Sequence, residues 1–268
     1  PLAEGRNSKG GKDAPLPTAY AELCVTSNFT FLTGASHPEE LVARATELGL
    51  SALAITDRNS LAGMVRAWSA LKTLRDEAEQ ALRIRSTERT DPSSRQPEAG
   101  TQEIAVRAGQ LLPRLITGCR LVLEDEPVEW LALPTDRAAY ERLSRLLTLG
   151  KRRAEKGRCQ LHLADLEEHG RGLILIALPP EPPEGAPPGA IDAGFEDHLV
   201  ALRRRIGPAV HLAASHLYRG NDRARIDRLA VIAARAETPM VATNDVQAHA
   251  PERRRLADVL SCIREHCT

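Results

Sequence analysis

Aromatic residues are scarce. Three Phe, three Tyr and two Trp make up 3% of the 268 residues. So few rings count against a base-stacking surface of the kind that holds single-stranded nucleic acid. The five cysteines, Cys24, Cys119, Cys159, Cys262 and Cys267, form no Cys-x-x-Cys pair and leave one over. That pattern disfavours a disulfide framework, and a reducing, cytoplasmic setting is expected. Cys262 and Cys267 lie five apart on an expected helix, off the usual metal-ligand spacings, and are expected to be inert. Net charge is missing too: Lys+Arg and Asp+Glu both number 36. Whole-chain electrostatics therefore points to no polyanionic partner, and only local clusters can. No apolar run approaches the roughly 18 residues that span a bilayer, so no membrane partner is expected. Residues 1–17 lack the apolar core of a secretory signal. The chain starts without Met and is expected to be a piece of something longer.

What is present suffices for a core. Hydrophobic residues are 42% and charged residues 27%, a globular balance. The length suits one large domain, and single α/β barrels of this size are common. Residues 1–18 are expected to be a disordered leader and 19–268 to be the domain. Short apolar runs alternate with longer amphipathic stretches, the pattern of βα units. Strands are expected at 21–26, 52–56, 115–123, 130–133, 173–178, 210–215 and 240–243. Helices are expected at 38–49, 60–83, 137–149, 194–206, 222–237 and 251–266, with a turn near 163–169. Ser36 before Pro38, and Thr135-Asp136 before residue 137, are the cap signals. Seven strands, nearly all followed by a helix, predict a parallel sheet closed into a barrel. Two stretches interrupt it. Residues 86–103 lack apolar periodicity and are expected to be a flexible insertion. Residues 179–190 are Pro-rich and predict an extended loop.

In parallel barrels the working residues sit at the C-terminal ends of strands. Those ends carry Cys24 and Thr26, Asp57-Arg58-Asn59, Arg120, Glu129, His216, and Asn244-Asp245-Val246-Gln247. As a metal site this set is poor. An Arg keeps its proton, cannot ligate, and repels a cation. Asp57 is instead expected to pair with Arg58 and Arg120. Seven of the eight histidines lie outside the set; His37 and His249 flank helix starts and are expected at the surface. The cluster Lys151, Arg152, Arg153, Lys156 and Arg158 is placed after a helix C-terminus, where cations suit the dipole. It reads either as a solvated helix end or as a contact to another domain or to DNA phosphate. The runs 203–205 and 253–255 read as solvated helix faces.

The stretches YAELCVTSNFTFLTGASHPEEL and ALAITDRNSLAGMVRA resemble the start of a PHP (polymerase and histidinol phosphatase) domain. In detail they are similar to the N-terminal domain of error-prone C-family bacterial DNA polymerases, relatives of the replicative polymerase III alpha subunit. Further matching stretches are LALPTDRAAYERLSRLLTLGKRRAEKG, ASHLYRGNDRARIDRLA and VATNDVQAHAPERRRLADVLSCIREHCT. The resemblance is collinear over roughly 20–85 and 104–268, and implies a PHP-type distorted (β/α)7 barrel.

It also exposes departures. Where active members open with His-x-His, this chain has Cys24 and Thr26. The family's Thr-Asp-His is Thr56-Asp57-Arg58, its Gly-x-Glu is Gly118-Cys119-Arg120, and its closing Asp-x-His is Asp245-Val246-Gln247. Glu129 stands near a further His position, and His216 near another ligand. The resemblance therefore implies a degenerate metal site, no catalytic residue in this domain and no cofactor within it. Template-directed nucleotidyl transfer would belong to a palm domain outside these residues, with Mg²⁺ held by its carboxylates. Implied partners are the remaining polymerase domains, DNA, the sliding clamp and mutagenesis accessory proteins, in damage-induced translesion synthesis. Two alternatives stay open: an active PHP metallo-phosphoesterase or 3′-5′ exonuclease, and the PHP domain of a replicative alpha subunit. The segments TDRNSLAG and LTLGKRRAEKG favour the error-prone branch.

Overall fold

Apolar runs of four to six residues build the sheet. The structure, a computed structural model, describes residues 19–88, 112–181, 185–187, 189–192 and 194–267. The expected leader, most of the expected insertion (89–103) and parts of the Pro-rich stretch lie outside the described residues. β1 (Ala21–Val25), β2 (Ala52–Ile55) and β3 (Arg114–Thr117) pair in parallel in that order. All four residues of β2 are buried, as a strand covered on both faces requires. Its crossovers are α1 (Pro38–Glu47) and α2 (Gly63–Glu88). α2 extends to Glu88, five residues past the predicted end and into the predicted insertion.

The strand expected at 115–123 is broken at Gly118. A Cβ there would lie 2.7 Å from both Leu133 Cδ2 and Thr56 Cγ2, so only glycine lets the chain pass so close to β2 and its neighbour. β4 (Cys119–Leu121) then starts a second sheet, ordered β4-β5-β6-β7-β8 with β5 (Glu129–Pro134), β6 (Leu173–Leu178), β7 (Val210–Ser215) and β8 (Met240–Thr243). β5 runs antiparallel to both β4 and β6, contrary to the all-parallel expectation. The seven residues between β4 and β5 are too few for the crossover a parallel pair needs. β6, β7 and β8 are parallel.

Main-chain bonds close the ring at both seams. Beyond β8, Thr26 N donates to Val246 O and Val246 N to Cys24 O, each at 2.8 Å. Beyond β2, Asn59 N donates to Arg120 O and Arg120 N to Asp57 O. With β3 and β4 as halves of one strand, seven strand positions complete a distorted (β/α)7 barrel. Its interior is filled by Cys24, Ala54, Leu131, Leu133, Ile176 and Ala213. A larger cluster around Trp130, Leu143, Leu146 and Leu175 lies under the outer helices.

Those helices are α3 (Arg137–Arg153), α4 (Leu163–His169), α5 (Phe195–Ile206), α6 (Asp222–Arg235) and α7 (Arg254–Glu265). Asp136 caps α3 as expected, accepting from Ala139 N at 2.7 Å. Ser36 does not cap α1. Its hydroxyl holds His249 through the ring Nδ1 (2.8 Å) and the backbone N (3.0 Å), so His249 is half-buried and not a surface residue. His37 is the N-cap, its N–H donating to Glu40 Oε2. α3 outruns its predicted end by four residues, which puts Lys151, Arg152 and Arg153 inside its last turn. The two arginine runs are partly engaged as well: Arg203 donates to the carbonyls of Gly207 and Val210, and Arg253 pairs with Glu40.

Candidate functional site at the barrel mouth

Strand ends converge where the sequence places them, around one guanidinium. Arg120, on β4, donates through Nε to Glu129 Oε2 at 2.5 Å and through an Nη to Asp245 Oδ1 at 2.9 Å. The three side chains come from β4, β5 and the turn after β8, and all are mostly buried. Burial works against the Arg120 cation, but the charges of Asp245 and Glu129 outweigh it and hold its pKa above the ordinary value. Asp245 takes a left-handed backbone, φ +47°, which a short polar residue tolerates better than most. Its Oδ1 also accepts from Cys24 Sγ at 3.3 Å. The Cys24 thiol is pushed well up, first by burial and then by the Asp245 charge. It is therefore a protonated donor here.

Asp57 does not join this network. It is fully buried, and its Oδ1 accepts from Ser27 N (2.8 Å), Ser27 Oγ (3.0 Å) and Thr30 Oγ1 (2.9 Å). Its Oδ2 accepts from Ser27 Oγ at 2.8 Å. Burial raises its pKa above the usual carboxylate value, and these hydrogen bonds oppose the rise. The predicted ion pairs of Asp57 with Arg58 and Arg120 are absent because the loop after β1 folds over the carboxylate and supplies its donors. Arg58 is exposed and points away from the mouth. Consecutive residues at a strand end face opposite ways, so Asp57 inward sends Arg58 outward.

The other predicted positions scatter. Thr26 is buried, and its hydroxyl has no partner among the described residues. His216 is exposed and its ring packs edge-on against Tyr218, centroids 4.8 Å apart. Gln247 is exposed and contributes only its carbonyl, which accepts from Ala35 N. A cavity of about 190 Å³ opens over the mouth, lined in part by Arg120, Ser215, Arg219, Asp222, Arg225 and Asp245.

Sequence reasoning missed Glu22. Only 2% exposed, it sits on the β1–β8 seam and accepts from Cys24 N, Thr243 Oγ1, both nitrogens of Asn244 and the Tyr20 hydroxyl. Burial, and then the bond to Glu22, raise the Tyr20 phenol. No pattern in AELCV marks that carboxylate. Ser27 and Thr30 were missed for the same reason.

The basic cluster is divided. Arg153 turns to Asp165, 2.6 Å away, and Arg152 lines a shallow groove along α3. Lys151, Lys156 and Arg158 instead share the wall of a separate pocket of about 670 Å³ with Arg58.

A barrel of this topology, with its polar residues at the strand ends, defines a class. Residues 22–218 match the model of the PHP domain, and the chain belongs to that family. It is similar to the error-prone DNA polymerase of Ruegeria pomeroyi, 59% identical over 249 residues, which cover 93% of this chain and 22% of that protein. The error-prone DNA polymerase of Caulobacter vibrioides is 42% identical, with 94% and 19% covered. The chain thus spans about a fifth of the length of the curated relatives it matches. Among solved structures, a protein from Bifidobacterium adolescentis named for metal-dependent phosphoesterase activity aligns with a TM-score of 0.53. It is 16% identical, with 91% of this chain and 97% of that one covered. At that identity the likeness speaks for the fold alone. No described helix is long and apolar enough to cross a membrane.

Proposed function

We propose that this chain is a scaffold domain of an error-prone DNA polymerase, and that its barrel mouth is a polar plug and not a metal centre. One observation carries the second half: the Arg120 guanidinium holds one oxygen of each carboxylate, Glu129 Oε2 and Asp245 Oδ1, and puts its own positive charge between them where a cation would sit. A tight zinc site takes about four ligands from Cys, His and carboxylate. Here Cys24 is a buried, protonated thiol, Asp57 is consumed by Ser27 and Thr30, and His216 stands outside. A unit positive charge about 5 Å from a divalent ion costs on the order of 6–7 kcal/mol at an effective dielectric near 20. The donor set does not fit a PHP metal cluster.

The first half draws on the relatives. Nucleotidyl transfer, its Mg²⁺ and its carboxylates would then lie in the four-fifths of such a polymerase outside this chain. Translesion synthesis during damage-induced mutagenesis, a cytoplasmic site of action, and the sliding clamp and accessory proteins as partners belong to this same reading. A nuclease assay tests the plug. The purified chain, given a 3′-labelled single strand and added Mn²⁺ or Zn²⁺, should release no nucleotides. Release that disappears in Asp245→Asn would restore the exonuclease reading.

A further inference from the structure

The pocket beside the mouth joins two features that the polymerase reading leaves unused. Arg58 leaves the barrel at the end of β2. Lys151 stands on the last turn of α3, and Lys156 and Arg158 flank Gly157 in the turn that follows. All four line one pocket of about 670 Å³, within the range of about 300–1,000 Å³ typical of ligand sites. Several arginines elsewhere are neutralised by carboxylates, Arg120, Arg153, Arg205, Arg219, Arg235 and Arg253 among them. Among the described residues, none of the four pocket cations has a carboxylate within ion-pair distance. Glu124 and Glu155 share the wall, so the lining keeps an excess of two positive charges in a chain whose net charge is zero.

The rim adds an aromatic ring. Phe29, in the loop after β1, lines the same pocket and is 38% exposed. Phe31, two residues on, is 83% exposed. Two of the three phenylalanines therefore stand in water on one loop. The scarcity of aromatics counts against an extended stacking platform, not against one ring beside one charged pocket. Cations that meet phosphates, next to a ring on which a base can stack, are the two elements of single-strand recognition.

We propose that this pocket binds single-stranded nucleic acid, with Arg58, Lys151, Lys156 and Arg158 on successive phosphates and Phe29 stacked on a base. The proposal rests on the polymerase reading for the source of the strand. It is independent of the metal question, since no cation of the pocket touches Glu129 or Asp245.

Fluorescence anisotropy of a labelled oligothymidylate of about ten nucleotides, titrated with the chain across a salt series, tests it. Each phosphate contact on a single strand contributes about 0.7 to the slope of log K against log salt. The double variant Arg58→Ala, Lys156→Ala should therefore lower that slope by about 1.4 and bind about 25-fold more weakly at about 0.1 M salt. Phe29→Ala should weaken binding at least about fivefold and leave the slope unchanged, because stacking releases no counterions. The control pair Arg204→Ala, Arg255→Ala, on exposed helix positions outside the pocket, should bind as the parent does. These three pocket residues are exposed or on the rim, so the variants should fold; an unchanged melting midpoint checks that. No measurable binding, or a double variant that binds normally, overturns the proposal. So does full displacement by pyrophosphate with no effect of Phe29→Ala, which marks a small-anion site. Stronger binding of a polyglutamate peptide than of the oligonucleotide also overturns it, in favour of an acidic protein segment. Primer extension by a longer chain containing this domain separates the two readings. Extension with a silent pocket sinks only the pocket, and a binding pocket without extension sinks only the polymerase.

Discussion

Replacing Arg120 by Met keeps the length of the side chain and removes the charge that ties Glu129 to Asp245. Removing one partner of a fully buried ion pair costs about 3–5 kcal/mol, because the other charge is left uncompensated. Here two carboxylates are abandoned, but the side chains of Arg120, Glu129 and Asp245 are 20%, 31% and 24% exposed. Water reaching them screens part of the loss. The expected cost is therefore about 2–3 kcal/mol at pH 7. With a urea m-value of about 2–3 kcal/mol/M for a domain of this size, the unfolding midpoint should fall by about 1 M. A double-mutant cycle separates electrostatics from lost packing. In an Asp245→Asn background only Glu129 loses its counter-charge, so the deficit caused by Arg120→Met should shrink. Urea titrations at pH 7 of the parent, the two single variants and the double variant read both effects. A deficit below about 0.5 kcal/mol, or one equal in the two backgrounds, would refute the view that Arg120 neutralises the mouth.

Three further outcomes follow from the same contacts. Asp57→Asn should change stability by less than about 1 kcal/mol at pH 7, since the amide oxygen can accept from Ser27 N and Thr30 Oγ1 while the amide nitrogen donates to Ser27 Oγ. Because the folded-state pKa of Asp57 is raised, the folded chain holds its proton longer. The parent should thus lose stability as pH rises from about 4 through that elevated value, and the variant should lack this slope; a parent that gains stability there through Asp57 contradicts the assignment. Ser27→Ala removes the hydroxyl that lies within hydrogen-bond distance of both oxygens of the same buried carboxylate and should cost about 1–3 kcal/mol in urea unfolding. Gly118→Ala drives a methyl against Leu133 and Thr56 and should cost about 1–3 kcal/mol by overpacking, read as a lower melting midpoint.

The strands were legible because buried βα units are written as short apolar runs, and six of the seven runs became single strands close to their expected limits. Strand direction was not. EWLALP is buried along most of its length, and such a run carries no mark of parallel or antiparallel pairing. The seven-residue link before it did carry that signal. The mouth was half legible. Arg120, Glu129 and Asp245 meet because strand ends share one rim, which register predicts. The partners of Asp57 come from a loop whose path depends on packing, so Ser27 and Thr30 gave no sign. Arg58 was assigned to the mouth against the alternation of a strand end, and that alternation sends it to the neighbouring pocket. The basic run 151–158 was visible as charge. Its division between Asp165 and the pocket depends on a helix four residues longer than its periodicity suggested.

Metal content decides between a plug and a metal centre. The chain, purified without a His tag and passed over no chelating resin, is analysed by inductively coupled plasma mass spectrometry and then titrated calorimetrically with Zn²⁺ and Mn²⁺ at pH 7. With Arg120 seated between Glu129 and Asp245, bound metal should stay well below one equivalent, and neither titration should saturate at a stoichiometric site. One equivalent or more that is lost in Asp245→Asn would place a metal among these carboxylates and contradict the plug.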